Sequence, residues 1–327
     1  WEIGGRATHA GELAAGLVTM LAILAANLRA AEIAARGQLA LTVLKVAVSV
    51  VFIAAAFASG DSAHLSPGFV DSPGGLPSGV LTVFAVSLLF YAGFNFLSQA
   101  MEERSRDVVP RQIVAAMMAS LVAAFVFYAL VILAVALVLP RESIATLDLP
   151  AATAFEIAFG SRWLRDLVLI AGLLGLITAW NGTLFAASRV VFRLAQQGLL
   201  PGAFATVGRT GQTPVYGVLA VTAVGTALGL CGRAAVEPIV VVAATCIPLT
   251  WTVVCAAAIR LRRTHRNADR PFRVQHGALV FAIAFACAAV AFGVALGGAL
   301  GAGAGSALGA IALGVWAALG VVAWLCR

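Results

Sequence analysis

The chain has very few charged side chains for its length. Only 11% of its 327 residues are Asp, Glu, Lys or Arg, whereas 62% are hydrophobic, and the mean hydropathy is +1.02. A soluble globular domain contains about 25% charged and about 45–50% apolar residues. No water-soluble core could bury this much apolar surface. The composition therefore excludes a soluble protein and predicts an integral membrane protein.

The sequence also lacks the patterns of catalytic and metal sites. Its five cysteines show no C-x-x-C spacing, its four histidines are scattered, and no G-x-S-x-G, H-E-x-x-H or Walker A motif occurs. We therefore expect no enzymatic activity, no cofactor and no metal site. The basic run RLRRTHRNADRPFR (260–273) directly follows an apolar segment. This position favours anchoring at a membrane surface over nucleic-acid binding.

Apolar runs of about 20 residues, the length of a membrane-spanning helix, occur repeatedly along the chain. Helices are expected because each segment in lipid must satisfy its own backbone hydrogen bonds. The sequence predicts about nine such segments, at residues 12–28, 39–59, 78–101, 112–139, 164–192, 214–230, 238–260, 278–297 and 306–325.

The arginines predict the orientation of these segments. Fourteen arginines fall in one set of alternate spacers and five in the other. Because basic residues are retained on the cytoplasmic side, the first set is predicted to be cytoplasmic. The first segment then runs from the outside inwards.

One apolar segment contains residues that weaken a membrane helix. The stretch LLFYAGFNFLSQAMEERSRDVVPR (88–111) places Gly93 and Asn95 in the middle of an apolar run. Glycine inside a helix costs about 1 kcal/mol relative to alanine. Either Gly93 allows close packing against a neighbouring helix, or the helix is interrupted there to meet a ligand. Asn95 favours the second interpretation, because an amide in hydrocarbon needs a polar partner or a cavity.

This stretch, continued as FYAGFNFLSQAMEERSRDVVPRQI, resembles the sixth helix and following loop of amino acid–polyamine–organocation (APC) superfamily permeases. Three other stretches resemble parts of the same family in the same order. The junction of the fourth and fifth family helices is similar to ANLRAAEIAARGQLALTVLK, the end of the eighth helix and the start of the ninth to NGTLFAASRVVFRLAQQGLLPGAFATVGRTGQTPV, and the segment before the eleventh helix to RPFRV. The resemblance covers essentially the whole chain from the fourth family helix onward. It implies an all-α integral membrane fold, a partial LeuT-like inverted-repeat bundle of about nine helices. It further implies that the first three family helices are missing and that residues 1–327 form one N-terminally truncated transporter domain.

The resemblance also implies a substrate site. Backbone carbonyls of the interrupted stretch would accept hydrogen bonds from the α-ammonium of a substrate, because a helix C-terminus presents unpaired carbonyls and negative dipole charge. Two aromatic rings could close over the ligand, and an amide and a hydroxyl would contact its side chain. Simple packing is the alternative role of the aromatic rings. The implied site residues are Leu89, Phe90, Tyr91, Ala92, Gly93, Asn95 and Thr183.

Two further functions follow from the resemblance. In sodium-coupled relatives, a sodium ion links the first and eighth family helices next to the fifth. Lys45, the only lysine, matches the fifth-helix position where a lysine takes the place of that ion in other relatives, which implies proximity to the eighth helix and a role in coupling. The alternative is that Lys45 extends to the cytoplasmic headgroups. Glu102 and Glu103 could form ion pairs with Arg189 and hold a cytoplasmic gate closed. A solvated cluster that anchors the chain to headgroups is the alternative for these residues.

The function implied is secondary active transport of amino acids across the cytoplasmic membrane by alternating access. Proton symport or exchange is expected. The partners would be the amino acid, protons and membrane lipid, and the Ala/Arg-rich composition suggests a bacterial inner membrane. Two alternatives remain open: an amine or polyamine carrier of the same fold, and a non-transporting membrane module.

Overall fold

The computed structural model of the chain is almost entirely helical. It describes residues 2–3, 6–7, 10–29, 31–66, 75–99, 108–147, 149–208, 213–232, 236–266, 268, 270, 272–300 and 304–325. The only strands in these ranges are Glu2–Ile3 and Arg6–Ala7, which form a short antiparallel pair before the first helix. The all-α class predicted from the apolar runs is confirmed.

Twelve helices follow one another along the described part of the chain, and each of the nine predicted apolar segments falls on a helix. They are α1 (Ala10–Arg29), α2 (Ala31–Ser59), α3 (Gly75–Tyr91), α4 (Phe96–Gln99), α5 (Pro110–Val138), α6 (Arg141–Thr146), α7 (Pro150–Phe159), α8 (Arg162–Gln196), α9 (Val215–Leu230), α10 (Val236–Thr264), α11 (Gly277–Leu300) and α12 (Ala304–Leu325).

Seven stretches of the described chain are long and apolar enough to cross a membrane. They lie in α1, α2, the run from α3 to α4, α5, α8, α10 and α11. The apolar helix α9 is shorter, with 16 residues. These lengths and compositions show a multi-pass integral membrane protein. Nine crossings and an inverted repeat stay predictions.

A buried cluster joins α2, α5 and α7. The ring of Phe52 from α2 stacks on that of Phe155 from α7, with centroids 5.2 Å apart, and Phe155 also stacks on Phe159 at 4.7 Å. Small residues such as Ala134 of α5 complete the cluster. The short helix α7 is thus packed into the bundle, although the apolar runs predicted only a connecting segment between residues 139 and 164.

The ends of α2 and α5 meet on the same side of the bundle. The backbone N–H of Asp61 donates to the carbonyl of Leu137 at 2.9 Å, and Nδ1 of His64 lies 3.0 Å from the same carbonyl oxygen. Both helices run towards the predicted outer side. This meeting therefore agrees with the alternation of the arginines.

Candidate substrate and coupling site

The helix that contains Gly93 changes its geometry at the predicted place. The α-helical conformation of α3 ends at Tyr91, a 3-10 turn follows at Ala92–Asn95, and α4 resumes at Phe96. The N–H of Phe96 donates to the carbonyl of Gly93, as a 3-10 turn requires. The sequence-based expectation of an interruption at Gly93 is confirmed. The assignment of Leu89 to Asn95 as substrate ligands stays a prediction.

Gly93 has open space around it. No atom lies within 4 Å of the position that a Cβ would occupy, and the residue is exposed. Close packing against a neighbouring helix therefore does not explain this glycine within the described part of the chain. Asn95 is half-buried, and its backbone carbonyl accepts a hydrogen bond from Ser98 Oγ at 2.7 Å.

The two predicted aromatic residues lie around one tyrosine of α5. The rings of Phe90 and Tyr91 have centroids 6.3 and 5.7 Å from the ring of Tyr128, in edge-to-face arrangements. The hydroxyl of Tyr128 also donates to the carbonyl of Phe90 at 3.5 Å, a long hydrogen bond. Tyr91 is half-buried, whereas Phe90 is 61% exposed. Tyr91 therefore has a packing role in this conformation, and the ring of Phe90 remains accessible.

The interrupted stretch packs against α8 at a second glycine. A Cβ on Gly182 would lie 3.1 Å from the ring of Phe96, so the missing side chain lets α4 approach α8 closely. The next residue, Thr183, is exposed, and its hydroxyl donates to the carbonyl of Ala179 in its own helix at 2.8 Å. Thr183 therefore follows directly on the glycine that contacts Phe96. Its role in binding substrate stays a prediction.

Three side-chain amides connect α1, α8 and α2. Nδ2 of Asn27 donates to Oδ1 of Asn181 at 2.7 Å, and Nδ2 of Asn181 donates to Oε1 of Gln38 at 3.1 Å. We call Asn27, Asn181 and Gln38 the amide network. Asn181 thus forms hydrogen bonds to two other helices. Asn27 and Gln38 were not singled out in the sequence, although both are amides in or beside apolar segments.

Lys45 lies against α8. A Cβ on Gly175 would be 3.3 Å from Cδ of Lys45, so the aliphatic part of the lysine covers this glycine. The side chain is half-buried and lines a cavity of about 170 Å³ together with Ser49 and Phe155. Among the described residues, the ammonium group has no hydrogen bond or ion pair. The resemblance implied this proximity to the eighth family helix, and the role of Lys45 in coupling stays a prediction.

Arg189 is a buried cation near the end of α8. It is 8% exposed, its Nη1 donates to the carbonyl of Phe185 at 3.1 Å, and its guanidinium lies 3.3 Å from the centre of the Phe185 ring. A solvated headgroup anchor is therefore the wrong description of this arginine. Its predicted gate partners Glu102 and Glu103 lie outside the described residues, so the gate stays a prediction.

These features define the class of the protein. It is a multi-pass helical membrane protein in which one apolar helix is interrupted beside a network of buried and half-buried amides. A family model described as amino acid permease matches residues 10–326. The chain therefore belongs to the amino acid permease family, and the resemblance to APC superfamily permeases is confirmed. The matched family and relatives are permeases and transporters rather than enzymes, as expected from the absence of catalytic motifs.

Several characterised proteins are similar to this chain. A branched-chain amino acid permease of Bacillus subtilis is 28% identical over 178 residues, which are 53% of this chain and 36% of that protein. A methylthioribose transporter of the same organism is 25% identical over 258 residues, 79% and 54% of the two chains. A general amino-acid permease of Saccharomyces cerevisiae is 27% identical over 209 residues, 59% and 33% of the two. The aligned parts thus span about a third to a half of these relatives.

Proposed function

We propose that the protein takes part in secondary active transport of amino acids across the cytoplasmic membrane. The observation that carries the proposal is the interrupted helix: α3 gives way to a 3-10 turn at Ala92–Asn95, where Gly93 leaves open space. The backbone hydrogen bonds of a membrane helix have poorer geometry at such a change. It is tolerated where the backbone lines a cavity or meets a ligand.

The interrupted stretch suits an ammonium group. The last carbonyls of α3, from Leu89 to Ala92, carry the negative end of the helix dipole, and a switch from α to 3-10 hydrogen bonding weakens their pairing. A substrate ammonium can donate hydrogen bonds to these carbonyl oxygens, and their negative charge stabilises its positive charge. Asn95 and Thr183 would then contact the substrate side chain, and the exposed ring of Phe90 would cover it.

Lys45 is proposed to supply the coupling charge. The aliphatic part of its side chain lies against Gly175 of α8, and its ammonium has no anionic partner among the described residues. A half-buried cation in a membrane helix is expensive, so protonation of Lys45 can be coupled to a conformational change. Coupling to protons and alternating access between the two membrane faces follow from this proposal. A bacterial inner membrane is the proposed location.

Two other functions remain as alternatives. An amine or polyamine carrier would need an acidic side chain at mid-membrane depth. The apolar spans 37–59 and 75–99 contain no acidic residue, which favours a zwitterionic substrate. A non-transporting membrane module would not require the open space at Gly93. One relative is named a methylthioribose transporter, so a thiosugar belongs among the substrates tested.

The first experiment is uptake into proteoliposomes with an inward proton gradient. The substrates are a labelled amino-acid mixture, a labelled polyamine and labelled methylthioribose. The protein is this chain and, where the gene encodes residues before Trp1, the longer product. Accumulation of amino acids that an ionophore abolishes supports the proposal. Accumulation of the polyamine alone favours the amine carrier. No uptake or exchange by either product favours the non-transporting module.

A matched pair of glycine variants tests the interrupted helix. Gly93 and Gly293 are both exposed, both lie within apolar helical runs, and neither has an atom within 4 Å of its Cβ position. We expect Gly93→Leu to abolish uptake because the new side chain fills the space proposed for substrate. Gly293→Leu should keep uptake near that of the unsubstituted protein. Equal uptake by both variants would remove the main support for the site.

Lys45→Met tests coupling, and Ser49→Ala is its control. Both side chains line the same cavity, and the hydroxyl of Ser49 donates only to the carbonyl of Lys45 in its own helix at 2.9 Å. We expect Lys45→Met to lose the pH dependence of uptake, whereas Ser49→Ala keeps it. Unchanged pH-dependent uptake by Lys45→Met would refute the coupling role.

A further inference from the structure

We propose that a cavity on the cytoplasmic face binds the phosphate headgroup of an anionic phospholipid through Arg111 and Arg273. The cavity has a volume of about 570 Å³ and is lined by Arg111, Phe272, Arg273, Val274 and Gln275. We call it the basic cavity. It is separate from the interrupted helix and from the cavity beside Lys45.

The two arginines come from distant parts of the chain. Arg111 is the second residue of α5, and Arg273 lies in the segment between α10 and α11, four residues before α11 begins. The fold brings both arginines and Gln275 to the lining of one cavity. Guanidinium groups are planar donors that bind phosphate oxygens in pairs, so two of them at one cavity are suited to a phosphate.

The positive charge of the basic cavity is not neutralised by a partner within the described structure. Neither Arg111 nor Arg273 forms a hydrogen bond or ion pair there. Other arginines of the same region have internal partners: the guanidinium of Arg262 lies against Gly277 and 5.0 Å from the Phe281 ring, and Arg270 donates to the carbonyl of His265 at 2.8 Å. The segment 260–273 contains six arginines and one aspartate. An anion at the cavity would therefore meet a strongly positive potential.

The position of the cavity favours a lipid over a free anion. Both lining segments lie at the ends of apolar spans, Pro110–Val138 and Gly277–Leu300. The cavity is thus at the depth of the headgroups, on the side where the arginines predict the cytoplasm. Phe272 is 39% exposed at the same place, and an aromatic ring is favoured at the membrane interface. Anionic lipids are abundant in the cytoplasmic leaflet.

The test is a lipid-binding titration of the purified full chain in a neutral detergent. Short-chain phosphatidylglycerol is the probe, phosphatidylcholine is the uncharged comparison, and native mass spectrometry counts bound lipid. We expect Arg111→Gln and Arg273→Gln each to weaken phosphatidylglycerol binding about fivefold, because each removes one cationic contact. Arg266→Gln is the matched control, because Arg266 is exposed in the same segment but does not line the cavity. Phosphatidylglycerol binding by this variant should change less than twofold.

Three results would overturn the proposal. Equal weakening by Arg266→Gln would show a diffuse surface charge rather than a site. Equal binding of phosphatidylcholine would show that the phosphatidylglycerol charge is not recognised. Displacement of the lipid by millimolar inorganic phosphate would identify a free-phosphate site. Arg111→Lys and Arg273→Lys keep the positive charge and serve as controls for misfolding of the glutamine variants. Partial phosphatidylglycerol binding by these lysine variants supports recognition of the guanidinium group. Binding equal to that of the unsubstituted chain contradicts recognition of the guanidinium group.

Discussion

Removal of the central amide of the network should destabilise the bundle. Asn181 both accepts from Asn27 and donates to Gln38, so it is the only member bonded to two other helices. Asn181→Ala deletes both contacts. It leaves Nδ2 of Asn27 with only the carbonyl of Ile23, at 2.9 Å, and leaves Oε1 of Gln38 without this donor.

The expected loss follows from the number and setting of these bonds. Hydrogen bonds between membrane helices contribute about 0.6 kcal/mol on average and up to about 1.7 kcal/mol. Asn27 is only 9% exposed, so water does not readily replace its lost partner. We therefore expect Asn181→Ala to lower the free energy of unfolding by about 1–3 kcal/mol.

The assay is unfolding of the purified protein in mixed micelles at increasing denaturing detergent. Thr183→Ala is the control, because its hydroxyl bonds only Ala179 in the same helix and should change stability by less than about 0.5 kcal/mol. A double-mutant cycle with Asn27→Ala should give a coupling energy near 0.6 kcal/mol. The reasoning is refuted if Asn181→Ala and Thr183→Ala lose the same stability, or if the coupling energy is zero.

Three further substitutions test contacts elsewhere in the bundle. A Cβ on Gly217 would lie 2.8 Å from the backbone oxygen of Ser188, so Gly217→Val should destabilise the α8–α9 contact by about 1–3 kcal/mol in the same unfolding assay. An unchanged unfolding midpoint would contradict this close approach. Phe155→Ala empties a site that is 1% exposed and should cost about 3–5 kcal/mol; a loss below about 1 kcal/mol would contradict the stacked cluster. Gly182→Val should displace the Phe96 ring and lower uptake at saturating substrate. Full uptake would show that transport does not depend on the contact between Gly182 and Phe96.

The sequence predicted the membrane helices because their signal is local. The length and composition of each apolar run are enough to predict a membrane helix. The combination of Gly93 and Asn95 predicted the place where α3 changes to a 3-10 turn. The resemblance placed Lys45 close to the eighth family helix, and Gly175 of α8 contacts its side chain.

Contacts between residues that are far apart in the sequence were harder to predict. Asn27 and Gln38 are single amides near the ends of apolar segments. Nothing nearby in the chain indicates that Asn181, 154 and 143 positions away from them, bonds to both. Helix α7 was missed for another reason. Its 10 residues are too few for a membrane span, so its apolar side chains carry no distinctive signal until Phe155 is packed against Phe52.

Helix α8 links the two proposed functional regions. Gly175 contacts Lys45, and Gly182, seven residues later, contacts Phe96 of the interrupted helix. Seven residues are about two helical turns, so both glycines lie on one face of α8, about 10.5 Å apart. Asn181 fixes the neighbouring part of that face to α1 and α2. If Lys45 couples protons to transport, a tilt of α8 against α2 would alter the surroundings of the lysine and of the interrupted helix together. Because both regions contact α8, the proposed coupling requires no direct contact between Lys45 and substrate.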